Sequence, residues 1–268
     1  MIRPGLVSIT FRQLEPGEII ERAAACGLEG IEWGADVHVP PGDVARATEV
    51  GTRTRDAGLE VAAYGTYYKL AESDPDEWPR LIENAQALQT PILRVWCGNQ
   101  ASVDSNLAYR RQVADDALRI SRLAEEAGLI VACEWHGKTL TDTATSAQLL
   151  FDEVMHNAFR TYWQPHVGLT PVQCLVDMET ALPRLTGLHV FQWEAGSRVR
   201  QPLAEGDGIW PAYLRKALSR PVSAGIDPLF ALLEFVPDDD PQVLERDAQT
   251  LRGWITQAME QSPGDPDA

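Results

Sequence analysis

Leu129-Ile130-Val131-Ala132-Cys133-Glu134-Trp135-His136 is the stretch on which the fold turns. An apolar run without a turn former reads as a buried strand. This one ends on a carboxylate, and a charge at the tip of a buried strand is expensive unless something uses it. A second run is built the same way, Leu229 to Leu233 followed by Glu234-Phe235. Working outward, short apolar runs alternate with amphipathic stretches along the chain. Leu6–Phe11, Gly30–Trp33, Leu59–Tyr64, Ile92–Trp96, Leu129–Glu134, Phe159–Gln164, Gly187–Trp193 and Leu229–Phe235 read as strands. Between and after them, helices are expected over Pro16–Gly27, Asp43–Ala57, Asp76–Leu88, Asp104–Ala127, Thr145–Asn157, Pro171–Ala181, Trp210–Leu218 and Pro241–Met259.

Strand–helix units of about 30 residues each predict a single-domain α/β protein, a (β/α)8 TIM barrel, rather than an open doubly wound sheet. No Gly-x-Gly-x-x-Gly follows the first strand, so the dinucleotide-binding alternative lacks its fingerprint. Gly27, Gly58 and Gly128 each stand between a helix and a strand, a weak internal repeat. The barrel is expected over residues 1–260. The segment 261–268 ends Ser262-Pro263-Gly264-Asp265-Pro266-Asp267-Ala268 and reads as a disordered tail.

The 268-residue chain is 44% hydrophobic, enough for a large core. Its 39 acidic and 23 basic residues give a net charge of −16. That argues against a nucleic-acid partner, which needs clustered Lys and Arg, and against docking to an anionic membrane. It leaves room for a small neutral sugar or a divalent cation. Cys26, Cys97, Cys133 and Cys174 are scattered and suit free thiols in a reducing cytoplasm. The start of the chain, Met1-Ile2-Arg3-Pro4-Gly5, lacks the apolar stretch of a signal peptide, so the expected compartment is cytoplasmic.

A barrel of this kind places its active site at the C-terminal ends of the strands. Those ends read Trp33, Tyr64, Trp96, Glu134, Gln164, His189 with Trp193, and Glu234. Two carboxylates in one half-dry mouth repel each other, by about several kcal/mol at 4 to 6 Å and an effective dielectric near 20. Such a site raises one pKa or takes up a cation. With imidazole and a side-chain oxygen beside the carboxylates, one divalent ion (Mn²⁺, Mg²⁺, Co²⁺ or Zn²⁺) is the expected cofactor.

Glu134-Trp135-His136-Gly137-Lys138-Thr139-Leu140-Thr141, Leu188-His189-Val190-Phe191 and Leu233-Glu234-Phe235 resemble the xylose-isomerase-like TIM barrels, commonly labelled sugar phosphate isomerases/epimerases. Gly30-Ile31-Glu32-Trp33 with Asp36-Val37-His38 fits as well, and the resemblance runs from about residue 5 to 258. It implies a metal held by Glu134, Gln164, His189 and Glu234, with Glu134 and Glu234 also moving the proton. Gln164 departs from the pattern, an amide where a carboxylate is usual. Gln192 is the alternative to His189 for the position facing the site.

The residues expected to bind substrate are His136, Glu32, His38, Arg94, Trp96, Lys138 and Arg200. Arg94 has a competing reading, a buried pair with Glu32. The acidic run Asp238-Asp239-Asp240 is expected to be a solvated helix start. The resemblance implies a small-molecule sugar or sugar derivative as partner and is compatible with a homo-oligomer. The expected reaction is isomerisation or epimerisation by proton transfer next to a carbonyl, through an enediolate. Alternatives are a dehydratase or lyase on a keto-sugar or polyol, and a degenerate sugar-binding barrel without catalysis. A DNA-repair endonuclease on the same barrel conflicts with the acidic charge.

Overall fold

The computed structural model describes residues 1–194, 196–221 and 226–261. The tail expected from residue 261 lies, from 262 onward, outside the described residues. Parallel strands close into a barrel in chain order: β1 (Ile2–Val7), β2 (Gly30–Gly34), β3 (Glu60–Lys69), β4 (Ile92–Trp96), β5 (Ile130–Glu134), β6 (Phe159–Trp163), β7 (Leu185–Val190) and β8 (Leu229–Leu233). Closure runs from Ile2↔Leu229 to Leu6↔Leu233. Helices α1 (Pro16–Ala25), α2 (Val44–Asp56), α3 (Trp78–Leu88), α4 (Leu107–Glu126), α5 (Ala144–Glu153), α6 (Pro171–Ala181), α7 (Trp210–Leu218) and α8 (Leu244–Gln261) follow the strands in turn.

The helix starts carry the signals that the sequence offers. Pro16 opens α1 behind a reciprocal capping box of Glu15 and Glu18, and Thr170 with Gln173 does the same for α6. Gly27, Gly58 and Gly128 have φ of 68°, 80° and 73°, the left-handed geometry that ends a helix and turns the chain into the next strand.

Two apolar layers result. The larger lies between strands and helices, with Trp33, Trp78, Trp163 and Trp210 buried in it. The smaller contains Val7, Ala63, Ile92, Ala132, Tyr162, Phe230 and Leu232, and fills the barrel itself. Because strand residues alternate, Ala132 and Glu134 share one side of β5, as do Leu232 and Glu234 at β8. The filled interior is therefore continuous with the carboxylates at its top.

Several boundaries differ from expectation: β3 runs on to Lys69, α4 starts at Leu107 and α5 stops at Glu153. β1 starts at Ile2, because Pro4 is tolerated beside β8 (Pro4↔Ala231), and Ser8–Phe11 is a 3₁₀ turn instead of strand. β7 begins and ends earlier, and Phe191 to Trp193 leave the barrel. The acidic run near 238 does not start α8: Asp238 and Asp239 sit in a tight turn with φ of 56° and 51°, and the helix begins at Leu244.

Candidate active site at the barrel mouth

A cavity of about 610 Å³ opens at the C-terminal ends of the strands. Glu134 and Glu234 both line it, with Arg94, Trp96, His136, Lys138 and Gln164. His189 closes the floor between the two glutamates and is almost wholly buried. Its Nδ1 lies 3.4 Å from Glu134 Oε1 and 3.6 Å from Glu234 Oε2. The two strand-tip carboxylates therefore meet across one imidazole.

Their surroundings are unequal. Glu134 accepts from Arg94 Nη1, from Trp96 Nε1 and, at 3.2 Å, from Gln164 Nε2. Burial pushes its carboxyl pKa up, but Arg94 and then His189 outweigh that and hold it well below the usual range. The Glu234 carboxylate accepts no hydrogen bond among the described residues. Burial lifts its pKa to about 7, against the pull of His189 and with the help of the Glu134 charge.

A third carboxylate sits underneath. Glu32 on β2 is fully buried; its Oε1 accepts from Arg94 Nε at 2.6 Å and its Oε2 lies 3.2 Å from His189 Nε2. Gly65 on β3 makes this possible, since a Cβ there would lie 2.7 Å from the Arg94 guanidinium and 2.8 Å from Glu32 Oε1. Burial pushes the His189 pKa down, yet Glu234 and Glu32 carry it up to about 10. In this state Arg94 and His189 are the two cations that neutralise Glu32 and Glu134.

The donor set fits a divalent ion. Ligand atoms of Glu134, His189 and Glu234 all lie within 4.8 Å of one another. Both His189 Nδ1 and Gln164 Oε1 are buried without a hydrogen-bond partner, and both belong to residues that touch Glu134. Glu32 accepting at Nε2 leaves the Nδ1 lone pair of a neutral His189 for an ion, the carboxylate–histidine arrangement common behind metal ligands.

The chain belongs to the xylose isomerase-like TIM barrel family. The family profile matches residues 20–226. The 3-dehydroshikimate dehydratase of Bacillus anthracis is 27% identical over 162 residues, a stretch that covers 56% of this chain and only 57% of that protein. The crystal structure of the probable 3-DHS dehydratase from the same organism has a TM-score of 0.71 at 18% identity, covering 94% of this chain and 99% of its own. The D-psicose 3-epimerase of Clostridium cellulolyticum H10 has a TM-score of 0.70 at 14% identity, covering 96% and 99%. At these identities the two structures show the fold. The fold is thus shared with a protein named for elimination and one named for epimerisation.

Not every residue expected at the site is there. His136 is, stacked on Trp96 at 5.0 Å with its Nδ1 2.6 Å from the Gly137 carbonyl. Lys138 lines the rim, exposed, with φ of 60°. His38 does not line the cavity: its ring nitrogens lie 2.9 Å from Ser8 Oγ and 3.2 Å from the Leu14 carbonyl. Arg200 is drawn aside by Asp239 and the Val236 carbonyl, with its guanidinium over Phe235. Glu32 lies beneath the cavity instead of in contact with it. Trp33 and Tyr64 point into the outer layer, bonded to Thr54 and the Val39 carbonyl. His189 takes the inward position, whereas Gln192 lines a neighbouring cavity.

Three residues near the site went unexpected. Tyr67 and Arg12 line the cavity and bond to each other at 3.0 Å. Tyr162 is buried below it, its hydroxyl unpartnered and its ring edge-on to His189. Tyr162 was within reach of the sequence, because it lies two residues before Gln164 and so faces the same way. Arg12 gave no signal, since it reaches the mouth from the turn after β1.

Among the described residues no helix is long and apolar enough to cross a membrane. All four cysteines are free, and Cys97, Cys133 and Cys174 are buried.

Proposed function

We propose that the chain is an enzyme that moves a proton at a carbon next to a carbonyl, on a sugar or sugar-derived polyol. One divalent ion would be held by Glu134, Gln164, His189 and Glu234. When bound, such an ion supplies Lewis-acid polarisation of the carbonyl oxygen. Everything else falls to the side chains.

The observation that carries the reading is the inequality of the two glutamates. Glu234, with no hydrogen bond to its carboxylate among the described residues and an imidazole 3.6 Å away, suits a general base that takes a proton and gives it back. Glu134, with three donors on it, is a fixed charge. The proton therefore travels on Glu234, not on both carboxylates as the family resemblance implies. His136 offers the second acid–base group from the other wall, its ring held flat on Trp96. Trp96, Phe191 and Trp193 give flat faces for C–H bonds, and Lys138 a cation for a substrate oxygen.

A single mobile base favours isomerisation, in which a proton leaves one carbon and returns to its neighbour on the same face. Epimerisation then requires His136 to deliver from the opposite wall. A second reading, dehydration, has its own support in the 27% identity to a dehydratase. There Glu234 removes the proton and His136 protonates the departing hydroxyl.

Proton NMR in D₂O with added Mn²⁺ separates these readings. The panel should hold free ketoses and aldoses, a polyol-derived keto acid, and 3-dehydroshikimate. Isomerisation or epimerisation exchanges C–H for C–D without loss of a group; dehydration produces new olefinic or aromatic signals. If no substrate of either kind exchanges a proton, the enzymatic reading fails.

A further inference from the structure

Beside the mouth lies a second cavity, of about 430 Å³, between the loops that follow β6 and β7. It is not walled off. Pro165, His166, Val167, Phe191 and Trp193 line both spaces. Its own walls are of a different kind: Leu169, Ile209, Trp210 and Tyr213, with Cys174 behind them. Among the described residues that line it there is no Lys or Arg, and Glu194 is the one acid.

The main cavity lies well inside the range of about 300 to 1,000 Å³ that holds a small ligand. A monosaccharide on Glu134 and Glu234 needs none of the side cavity. A phosphorylated tail finds no cation there. An uncharged flat ring finds an aromatic wall: Trp210 and Tyr213 line the cavity edge-on to each other, with ring centroids 5.4 Å apart.

The seam between the two spaces has its own chemistry. Trp193 Nε1 and His166 Nδ1 are buried and have no hydrogen-bond partner. An indole N–H can only donate, and a buried donor left unpaired is costly. Both residues belong to the wall shared by the two cavities.

We propose that the side cavity is a binding subsite for an uncharged aromatic substituent of the substrate, so that the enzyme acts on an aryl-substituted sugar derivative and not on a bare or phosphorylated monosaccharide. This rests on the proposed function for the sugar end, and the ring end can be tested apart from it.

Binding of matched phenyl and methyl glycosides of glucose, galactose and xylose, and of phenol alone, would be measured by tryptophan fluorescence and calorimetry. In at least one pair the phenyl glycoside should bind about tenfold tighter or better. Leu169→Trp, which fills the cavity, should remove that gap and leave the methyl glycoside unchanged; Ile209→Trp is the second filling variant should the first not fold. Equal affinities within every pair, or a gap that survives filling, would overturn the subsite. Phenol bound by the wild type and not by the filled variants, with no glycoside bound, would uphold the ring subsite while sinking the sugar reading. If nothing binds, phenol included, the subsite is rejected.

Discussion

The ends of β5 and β8 carry the same residue at the same mouth of the barrel and treat it differently. At β5, Glu134 is held by an arginine, an indole and an amide. At β8, no hydrogen bond among the described residues holds the Glu234 carboxylate, and His189 lies 3.6 Å from it. Burial is nearly the same, 3% and 5% exposed, so burial does not make the difference. Neighbours do: one carboxylate is pinned as a charge and the other is left to titrate near neutrality. A strand tip sets where a glutamate stands, and the strands beside it decide what it does.

The most direct way to break the comparison is to make the two ends equal. Glu234→Gln removes the free carboxylate and should lower turnover by about 10²- to 10⁴-fold. The melting temperature should hardly move, because no hydrogen bond to that carboxylate is lost. Deuterium exchange into substrate and thermal unfolding together check this. A variant that stays active, or one that unfolds, would leave Glu234 no special role.

Arg94→Met attacks the other end. It leaves Glu32 and Glu134 buried with one shared imidazole between them. Removing one partner of a buried ion cluster costs about 3–5 kcal/mol, visible as a lowered midpoint in urea. The double variant Arg94→Met with Glu32→Gln should recover part of that loss, since one of the stranded charges goes with it. No recovery would mean that packing, not charge, is what Arg94 supplies.

A milder change sharpens the contrast from below. Glu32→Gln takes away the carboxylate behind His189 Nε2 while leaving the shape of the side chain. Loss of such a partner weakens metal binding by about 10- to 100-fold. Titration of Mn²⁺ by calorimetry reads this, and unchanged affinity would show that Glu32 serves Arg94 alone.

Much of this arrangement was legible in the chain, for identifiable reasons. Glu134 and Glu234 stand out because each ends an apolar run, and alternation puts Arg94 and Trp96 on one side of β4. The Glu32–Arg94 pair follows from the cost of a lone buried guanidinium. What could not be read is whom each charge chooses when several are close. Arg94 also takes Glu134, and that second bond makes the two glutamates unequal. Arg200 prefers Asp239, 39 residues on and brought near by a left-handed turn that no periodicity announces. His38 folds back onto Ser8 because the segment after β1 is a 3₁₀ turn, which strand-like composition in Leu6–Phe11 conceals. The side cavity is likewise invisible in sequence, since Leu169, Ile209 and Tyr213 come from separate loops and helices.

The smallest of these effects concerns Gln164, where the amide makes sense as charge balance. Three carboxylates, Glu32, Glu134 and Glu234, crowd the floor of the mouth. A divalent ion with the Arg94 guanidinium and a neutral His189 matches them, and a fourth carboxylate would leave the floor negative. The amide also gives Glu134 a donor at 3.2 Å that a carboxylate would turn into a repulsion. Gln164→Asp should therefore split the two states of the protein. Without metal it loses stability, by about 1–3 kcal/mol, the cost of an unpaired buried polar group. With Mn²⁺ the added charge tightens binding by about tenfold, since affinity for a hard cation rises with the number of charged ligands. Melting curves with and without the ion should move apart compared with the wild type. Curves that shift in parallel would show that residue 164 does not face the ion, and that the amide serves only to hold Glu134 still.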